Sequence, residues 1–184
     1  MDSALLWLAL AVALFWSVGA YNRLVRLRSL AIAAFQVLDA RLGHYIVLVD
    51  THINASATIS TLAQQPFHPV TSTTVWAGLL GARTQFEASL RVVRRGALDA
   101  GAMAALQTAH STLQAAWARV LAHDRDQAEL LPASCGTQWD DNSRLVSHAM
   151  AEFNRAVLDH NAAITQFPAL LLARIFGFRP AGCL

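Results

Sequence analysis

Apolar residues recur at intervals of three and four along most of the chain, and no stretch sustains the alternation typical of a strand. After an apolar N-terminal stretch this helical spacing continues without a proline until Pro66. The pattern predicts an all-α protein. Four helices are expected, at about 25–63, 74–95, 99–130 and 141–177.

Prolines, glycines and capping residues separate the predicted helices. Pro66 and Pro69 end the first helix, and Gly96 and Gly101 bracket a short turn after the second. The segment PASCGTQWDDNS is the clearest predicted loop, and its Asp140–Ser143 end supplies capping residues for helix four. Connections of this kind favour a long antiparallel four-helix bundle.

The N-terminal stretch has no ionisable group from Ala4 to Ala20. About 17 to 25 apolar residues suffice to cross a hydrocarbon core of roughly 30 Å as a helix. Residues 1–24 are therefore predicted to be a transmembrane anchor, continuous with a helical bundle over residues 25–180. A cleaved signal peptide is the alternative, because Val18-Gly19-Ala20 resembles a cleavage site.

Basic residues follow the apolar stretch instead of preceding it, which argues against a secretory signal. Arg23, Arg26 and Arg28 come directly after it, whereas Met1-Asp2-Ser3 contains neither Lys nor Arg. By the positive-inside rule this asymmetry predicts a single-pass protein with its N-terminus outside and its bundle in the cytoplasm. The lipid bilayer is then the first expected partner.

A second apolar segment, Pro168–Phe178, lies near the end of the chain and has Arg174 as its only charge. Pro168 lacks a backbone donor and disfavours the helical conformation at Phe167, so helix four should kink or restart there. In an up-and-down bundle helix four returns to the membrane face. The segment is therefore expected beside the inner leaflet or the base of the anchor, and completion of the bundle core is the alternative.

Composition supports the membrane reading, since 55% of the residues are hydrophobic and only 14% are charged. The net charge of +2, without a dense basic patch among aromatics, predicts no nucleic-acid partner. Cys135 and Cys183 flank a predicted helix of about 35 residues, roughly 50 Å long at ~1.5 Å per residue. Both are therefore expected to be free thiols.

The sequence contains no recognisable catalytic or metal-binding pattern. It has no Gly-x-Ser-x-Gly elbow, phosphate-binding glycine loop or dinucleotide fingerprint. A di-iron site in a bundle requires Glu-x-x-His pairs, and none of Glu87, Glu129 and Glu152 has a histidine three residues later. We expect no enzymatic activity, metal or cofactor. A metal or small ligand held within the bundle by some of the seven histidines is an alternative.

Residues at both ends of the chain resemble the LemA family. They are Tyr21-Asn22-x-Leu24-Val25-x-Leu27-Arg28, then Phe153-Asn154-x-x-Val157, His160-Asn161-x-x-Ile164-x-x-Phe167-Pro168 and Phe176-Gly177-Phe178-Arg179-Pro180. The resemblance implies a bacterial inner-membrane protein with a long antiparallel helical bundle, an outside N-terminus and no established enzymatic activity. The chain departs from the family at Arg41–Val49, where relatives have charged residues followed by Leu-Ile-Pro-Asn-Leu-Val.

The candidate interaction residues come from these motifs: Tyr21, Asn22, Asn154, Asn161, Phe167, Pro168, Phe176, Gly177 and Phe178. Asn154 and Asn161 are seven residues apart, so they share a stripe of helix four and are expected to fix helix register. Asn22 is expected to hydrogen-bond across helices where helix one leaves the membrane.

The expected function is that of a non-enzymatic scaffold or adaptor at the bacterial inner membrane. Its partners would be other membrane or cytoplasmic proteins, or further copies of the same chain. The alternative is an accessory to envelope stress or membrane proteolysis that binds client proteins.

Overall fold

The structure is a computed structural model that describes residues 2–63, 70–127, 134–167 and 169–184. Side chains are described within these ranges except at residues 2–4, 6, 9, 54–63, 70–73, 126 and 127. The described chain forms five helices and no strand: α1 Asp2–Ala63, α2 Val70–Arg95, α3 Ala100–Gln127, α4 Ser134–Thr165 and α5 Ala169–Phe176. The predicted all-α class is confirmed.

Helix α1 runs without interruption from the apolar N-terminal stretch into the core, as the lack of proline predicted. Its first buried described side chain is Leu24. From there the buried positions follow a seven-residue repeat: Leu24, Ala31, Phe35, Leu38, Leu42, Tyr45, Val49 and His52. Leu30 and Val37 are apolar but exposed, because each lies one position before a repeat position.

Helices α1 and α4 pack along each other, as do α2 and α3, and these two pairs form the most extensive contacts between the described helices. Along α1, Phe35 lies with its ring centroid 5.9 Å from that of Phe153. Further along α1, the Tyr45 hydroxyl donates a hydrogen bond to Ser143 at 2.9 Å. Later residues of α1 thus contact earlier residues of α4.

The turn predicted between α2 and α3 is confirmed, since α2 ends at Arg95 and α3 begins at Ala100. Asp99 caps α3, because its Oδ1 accepts a hydrogen bond from the Ala102 N–H at 2.7 Å. Arg94 of α2 donates to Asp39 of α1 at 2.8 Å, which links the hairpin to α1 near this turn.

Helix α4 begins at Ser134, whereas the sequence predicted a loop up to residue 143 and a helix from 141. Cys135 and Trp139 are buried and continue the repeat of Val146 and later residues toward the N-terminal side, so burial extends the helix through a polar-looking segment. Asp140–Ser143 therefore lies within α4 and does not cap it. Helix α2 also begins earlier than predicted, at Val70 instead of residue 74.

Large aromatic side chains connect the two helix pairs. Trp117 of α3 stacks on Trp139 of α4 with centroids 4.5 Å apart, and Trp139 also contacts Tyr45 of α1 at 4.5 Å. Gln114 bonds two polar groups of this layer, accepting from the Trp139 indole at 3.0 Å and donating to the Tyr45 hydroxyl at 2.9 Å. The buried Trp117 indole N–H has no hydrogen-bond partner among the described residues. The core is thus continuous across all four long helices.

Candidate functional site

Three of the candidate interaction residues, Tyr21, Phe176 and Phe178, come together where α5 packs against α1. Helix α4 ends at Thr165 and α5 begins at Ala169, so the predicted restart of the helix is observed. Pro168 itself lies outside the described residues. Leu170 donates its N–H to the Gln166 carbonyl at 2.8 Å, which leads the chain directly into α5.

Aromatic rings line the contact between α1 and the α5 region. The Tyr21 ring centroid is 4.9 Å from that of Phe176 and 6.2 Å from that of Phe178. The Phe167 ring lies 6.2 Å from that of Trp16, within the apolar stretch of α1. The α5 region therefore reaches the level of the predicted anchor.

Beneath these rings lies a small apolar cluster separate from the main core. It consists of the buried residues Leu24, Ala163, Ile164 and Ala173, with Leu27, Ala169, Leu172 and Phe178 packed around them. One face of α5 is therefore covered by α1 and α4, beside Leu24 and Leu27. Packing within the protein thus accounts for the apolar residues on only that face of α5.

The opposite side of α5 is apolar and exposed. Leu171 and Ile175 are exposed there, as is the preceding Phe167, whose exposed fraction is 76%. Phe176 lies on the side that faces α1, where its ring contacts Tyr21, although its side chain remains exposed. Phe167 was predicted within helix four, at about 141–177, but lies two residues beyond the end of α4 and is exposed. Exposed apolar residues grouped on one short helix are typical of an interaction surface.

Gly177 ends α5 and turns the chain back toward α4. Its φ is +70°, a left-handed conformation that glycine adopts without a Cβ clash. The Phe178 N–H donates to the Ala173 carbonyl at 2.9 Å, the six-to-one hydrogen bond of a Schellman cap. The cap places Phe178 between Tyr21 and His160, whose ring centroid lies 6.4 Å away.

Asn154 and Asn161 hold residues 181–184 against α4. The Asn161 amide donates to the Ala181 carbonyl at 2.9 Å and accepts from the Ala181 N–H at 2.8 Å. Asn154 forms the same pair of bonds with Leu184, at 2.6 and 2.9 Å. The two asparagines share one stripe, as predicted. Their hydrogen-bond partner, however, is the non-helical backbone after α5 and not a neighbouring helix, so a role in fixing helix register stays a prediction.

The spacing of the two asparagines along α4 matches the spacing of Ala181 and Leu184 along the tail. Seven residues of α-helix rise about 10.5 Å, and three residues of extended chain span about 10 Å. Ala181 and Leu184 can therefore face two asparagines one heptad apart. Gly182 between them has no room for a side chain, because a Cβ there would lie 2.6 Å from Ala100 Cα. We call residues 178–184 the return segment.

Asn22 does not take part in the predicted contact. Its side chain is exposed and, within the described ranges, forms no hydrogen bond. The heptad places Leu24 toward α4, and Asn22, two residues before it, points away. Its polar side chain is thus at the surface near Tyr21 and Arg23.

His160 is the buried titratable residue of this region. Burial lowers the pKa of His160, a hydrogen bond to the Arg179 backbone opposes that shift, and the charge of Arg28 reinforces it. Its Nδ1 has no hydrogen-bond partner among the described residues. Nor does any group of three His, Cys, Asp or Glu side chains within those residues have the proximity that a metal ion needs.

The two thiols differ in accessibility. Cys135 is buried in the first turn of α4, where burial raises the pKa of its thiol. Cys183 in the return segment is exposed, and neither forms a disulfide. The expected free thiols are thus observed, although Cys135 lies in α4 and not in a preceding loop.

Sequence reasoning identified the aromatic and asparagine residues but missed Ala181, Gly182 and Leu184. The available signal was the heptad spacing of two asparagines followed closely by a Gly-containing tail. Among the described residues, one helix is long and apolar enough to cross a membrane, namely α1. Comparisons with protein-family models, curated proteins and solved structures find no match to the chain.

Proposed function

We propose that the chain is a single-pass bacterial inner-membrane protein of LemA type. In this proposal the apolar part of α1 is the anchor, the N-terminus lies outside, and α1–α4 form an antiparallel four-helix bundle in the cytoplasm. The bundle acts without enzymatic activity, as a scaffold or adaptor for membrane or cytoplasmic proteins or for other copies of itself.

One observation carries the proposal. Apolar side chains of α1 before Tyr21 are exposed around the helix, including Leu8, Leu14, Phe15 and Val18. The same helix then enters a well-packed core without a break. A lipid phase is the environment in which such a surface is stable, since about 20 apolar helical residues match the hydrocarbon thickness. Opposed contacts along α1 and α4 support the antiparallel bundle.

Partner binding is supported by a groove of about 1090 Å³ on the outer side of α1 and α4. Its lining includes the exposed apolar residues Val37, Val47 and Leu145. This surface suits a scaffold that binds folded partners, and it suits equally the alternative accessory protein that binds exposed apolar segments of clients.

The orientation can be tested with the native thiols of the full chain. A membrane-impermeant maleimide should label Cys183 in inverted inner-membrane vesicles and not in intact spheroplasts. Cys135 is the internal control, since it should react only after denaturation. Labelling of Cys183 in spheroplasts, or a mature protein whose mass shows cleavage after Ala20, would contradict the proposal.

Substitution of the arginines after the anchor tests whether they determine the orientation of the protein. Neutral residues at positions 23, 26 and 28, combined with arginines placed before Ala4, should transfer at least part of the Cys183 labelling to spheroplasts. Neutral replacement of Arg119 and Arg144, which are exposed in the bundle, should leave the orientation unchanged.

A further inference from the structure

The charges of the chain are segregated along its length. No Asp or Glu occurs from Ser3 to Leu38 or from His160 to Leu184, and these two segments contain five arginines: Arg23, Arg26, Arg28, Arg174 and Arg179. All five are exposed, and none forms an ion pair within the described part of the chain. The other nine arginines lie in a part of the chain that also contains Asp and Glu, and four of them, Arg83, Arg91, Arg94 and Arg144, pair with a carboxylate.

The fold brings the two acid-free segments together. Arg174 directly follows Ala173, which packs with Leu24, and Arg179 directly follows Phe178, which contacts Tyr21. The arginines of α1 cover residues 23 to 28, a rise of about 8 Å at ~1.5 Å per residue. A headgroup layer is roughly 5 to 8 Å thick on each side of the hydrocarbon core. The basic residues therefore match one such layer.

The exposed side of α5 supplies the apolar part of the same surface. Leu171 and Ile175 are one helical turn apart and exposed, beside Arg174. Short amphipathic helices of this kind insert apolar side chains at the boundary between headgroups and acyl chains. Because Phe167 contacts Trp16 of the apolar stretch, α5 is continuous with the anchor surface.

We propose that α5 and the five arginines form a collar that binds the phosphate groups of anionic phospholipids around the anchor. The proposal rests on the membrane anchorage proposed above, and it adds a lipid class to it. Guanidinium groups donate paired hydrogen bonds to phosphate oxygens, which makes arginine well suited to this contact. Carboxylates, which would repel anionic lipid, are absent from the segments that reach the layer.

The first experiment measures lipid preference with the full chain. The protein is reconstituted in phosphatidylcholine vesicles with a fluorescent donor on Cys183, and energy transfer to trace acyl-labelled phosphatidylglycerol or phosphatidylcholine is compared. We expect a local preference for phosphatidylglycerol. This preference should weaken when the NaCl concentration is raised about tenfold, from roughly 50 to 500 mM, because salt screens the charges. Equal transfer to both lipids would overturn the collar.

Arginine variants assign the preference to the collar. In the double variant Arg174→Gln/Arg179→Gln the preference for phosphatidylglycerol should fall by up to about fivefold for each arginine removed. This is the effect expected for one basic side chain at an anionic surface. The charge-matched variant Arg119→Gln/Arg144→Gln, in the bundle, should retain it. Equal loss in both variants would mean that net charge alone is responsible and would overturn the collar.

A second experiment locates α5. In a Cys183→Ser background, an environment-sensitive fluorophore is placed at Leu171→Cys or, as the control, at Leu158→Cys, which is exposed on α4. Nitroxide-labelled lipids should quench the first label and not the second. Similar quenching of both labels would overturn the proposal.

Resistance of the protein to carbonate extraction is measured in the same vesicles, which separates the two proposals. A resistant protein without lipid preference contradicts the collar alone. An extracted protein contradicts the anchor and, with it, the collar.

Discussion

At the scale of single residues, the two asparagines of α4 show how a side-chain amide can replace a backbone partner. Each presents one donor and one acceptor to the N–H and C=O of one residue, as a neighbouring strand would. Both asparagines bond to backbone atoms of the return segment, so the contact does not depend on the side chains of that segment. Specificity comes instead from Gly182, whose missing Cβ allows the close approach to Ala100.

Asn161→Ala should lower the free energy of unfolding by about 1 to 3 kcal/mol, because it leaves the Ala181 N–H and C=O without partners near the core. Urea unfolding of the detergent-solubilised protein measures this change. Asn22→Ala is the matched control and should change stability by less than about 0.5 kcal/mol, since Asn22 is exposed. An unchanged stability with an altered oligomer distribution would instead support the register hypothesis.

The same residues show what sequence could provide. The heptad positions of Asn154 and Asn161 were visible, because helical periodicity is a local property. Their partners lie 30 and 20 residues further on in an extended segment. Backbone atoms are common to all residues, so such pairing leaves no pattern in the side chains. Gly182 marks the contact only after the approach of α3 is known.

At the scale of elements, apolar periodicity predicted α1, α2 and α3 well and misplaced the start of α4. The polar cluster Asp140–Ser143 resembles a cap, yet Trp139 and Val146 on either side are buried in one heptad seam. Tertiary burial therefore overrode the local preference of Asp, Asn and Ser for turns. The break before α5 was predictable because proline acts through local geometry.

The end of α5 depends on one backbone conformation. Gly177→Ala should destabilise the protein by about 1 to 2 kcal/mol, because a Cβ disfavours the left-handed conformation at φ +70°. No atom lies within 4 Å of the added Cβ, so steric contact adds nothing. The lower free energy of unfolding should be measurable by urea unfolding. The variant should also lose the lipid energy transfer, or the nitroxide quenching of the label on α5, that the wild-type protein shows.

Gly136→Ala is the opposite control for this prediction. Gly136 lies in the first turns of α4 and its Cβ would also meet open space. Alanine there should stabilise the protein by about 0.5 to 1 kcal/mol, as expected when glycine is replaced within a helix. Destabilisation by both substitutions would indicate that φ at Gly177 is not the cause.

At the scale of the whole molecule, two histidines should make stability depend on pH. His110 of α3 lies beside Tyr45 and Phe86, and burial lowers the pKa of His110. His160 of α4 lies beside Phe178 and near Arg28, and burial also lowers the pKa of His160. In both places the folded protein favours the neutral imidazole.

The sign of the effect follows from proton linkage. Between the lowered pKa of each folded histidine and its unfolded value near 6.5, the unfolded chain binds more protons than the folded chain. Stability is therefore complete above about pH 6.5 and decreases as the pH falls through that value. Below the folded pKa, these histidines cause no further loss. Urea unfolding at intervals from pH 7.5 to 5 should show this decrease.

Replacement of the histidines by residues that do not titrate should remove the decrease. In His110→Phe/His160→Phe the unfolding free energy should be flat over this window, whatever its absolute value. His148→Phe, at an exposed position of α4, should retain the wild-type slope. A double variant with the wild-type slope would show that other groups cause the pH dependence. His110 contacts Tyr45 in the main core and His160 contacts Phe178 in the return segment. The two single variants therefore show how much of the pH dependence comes from each place.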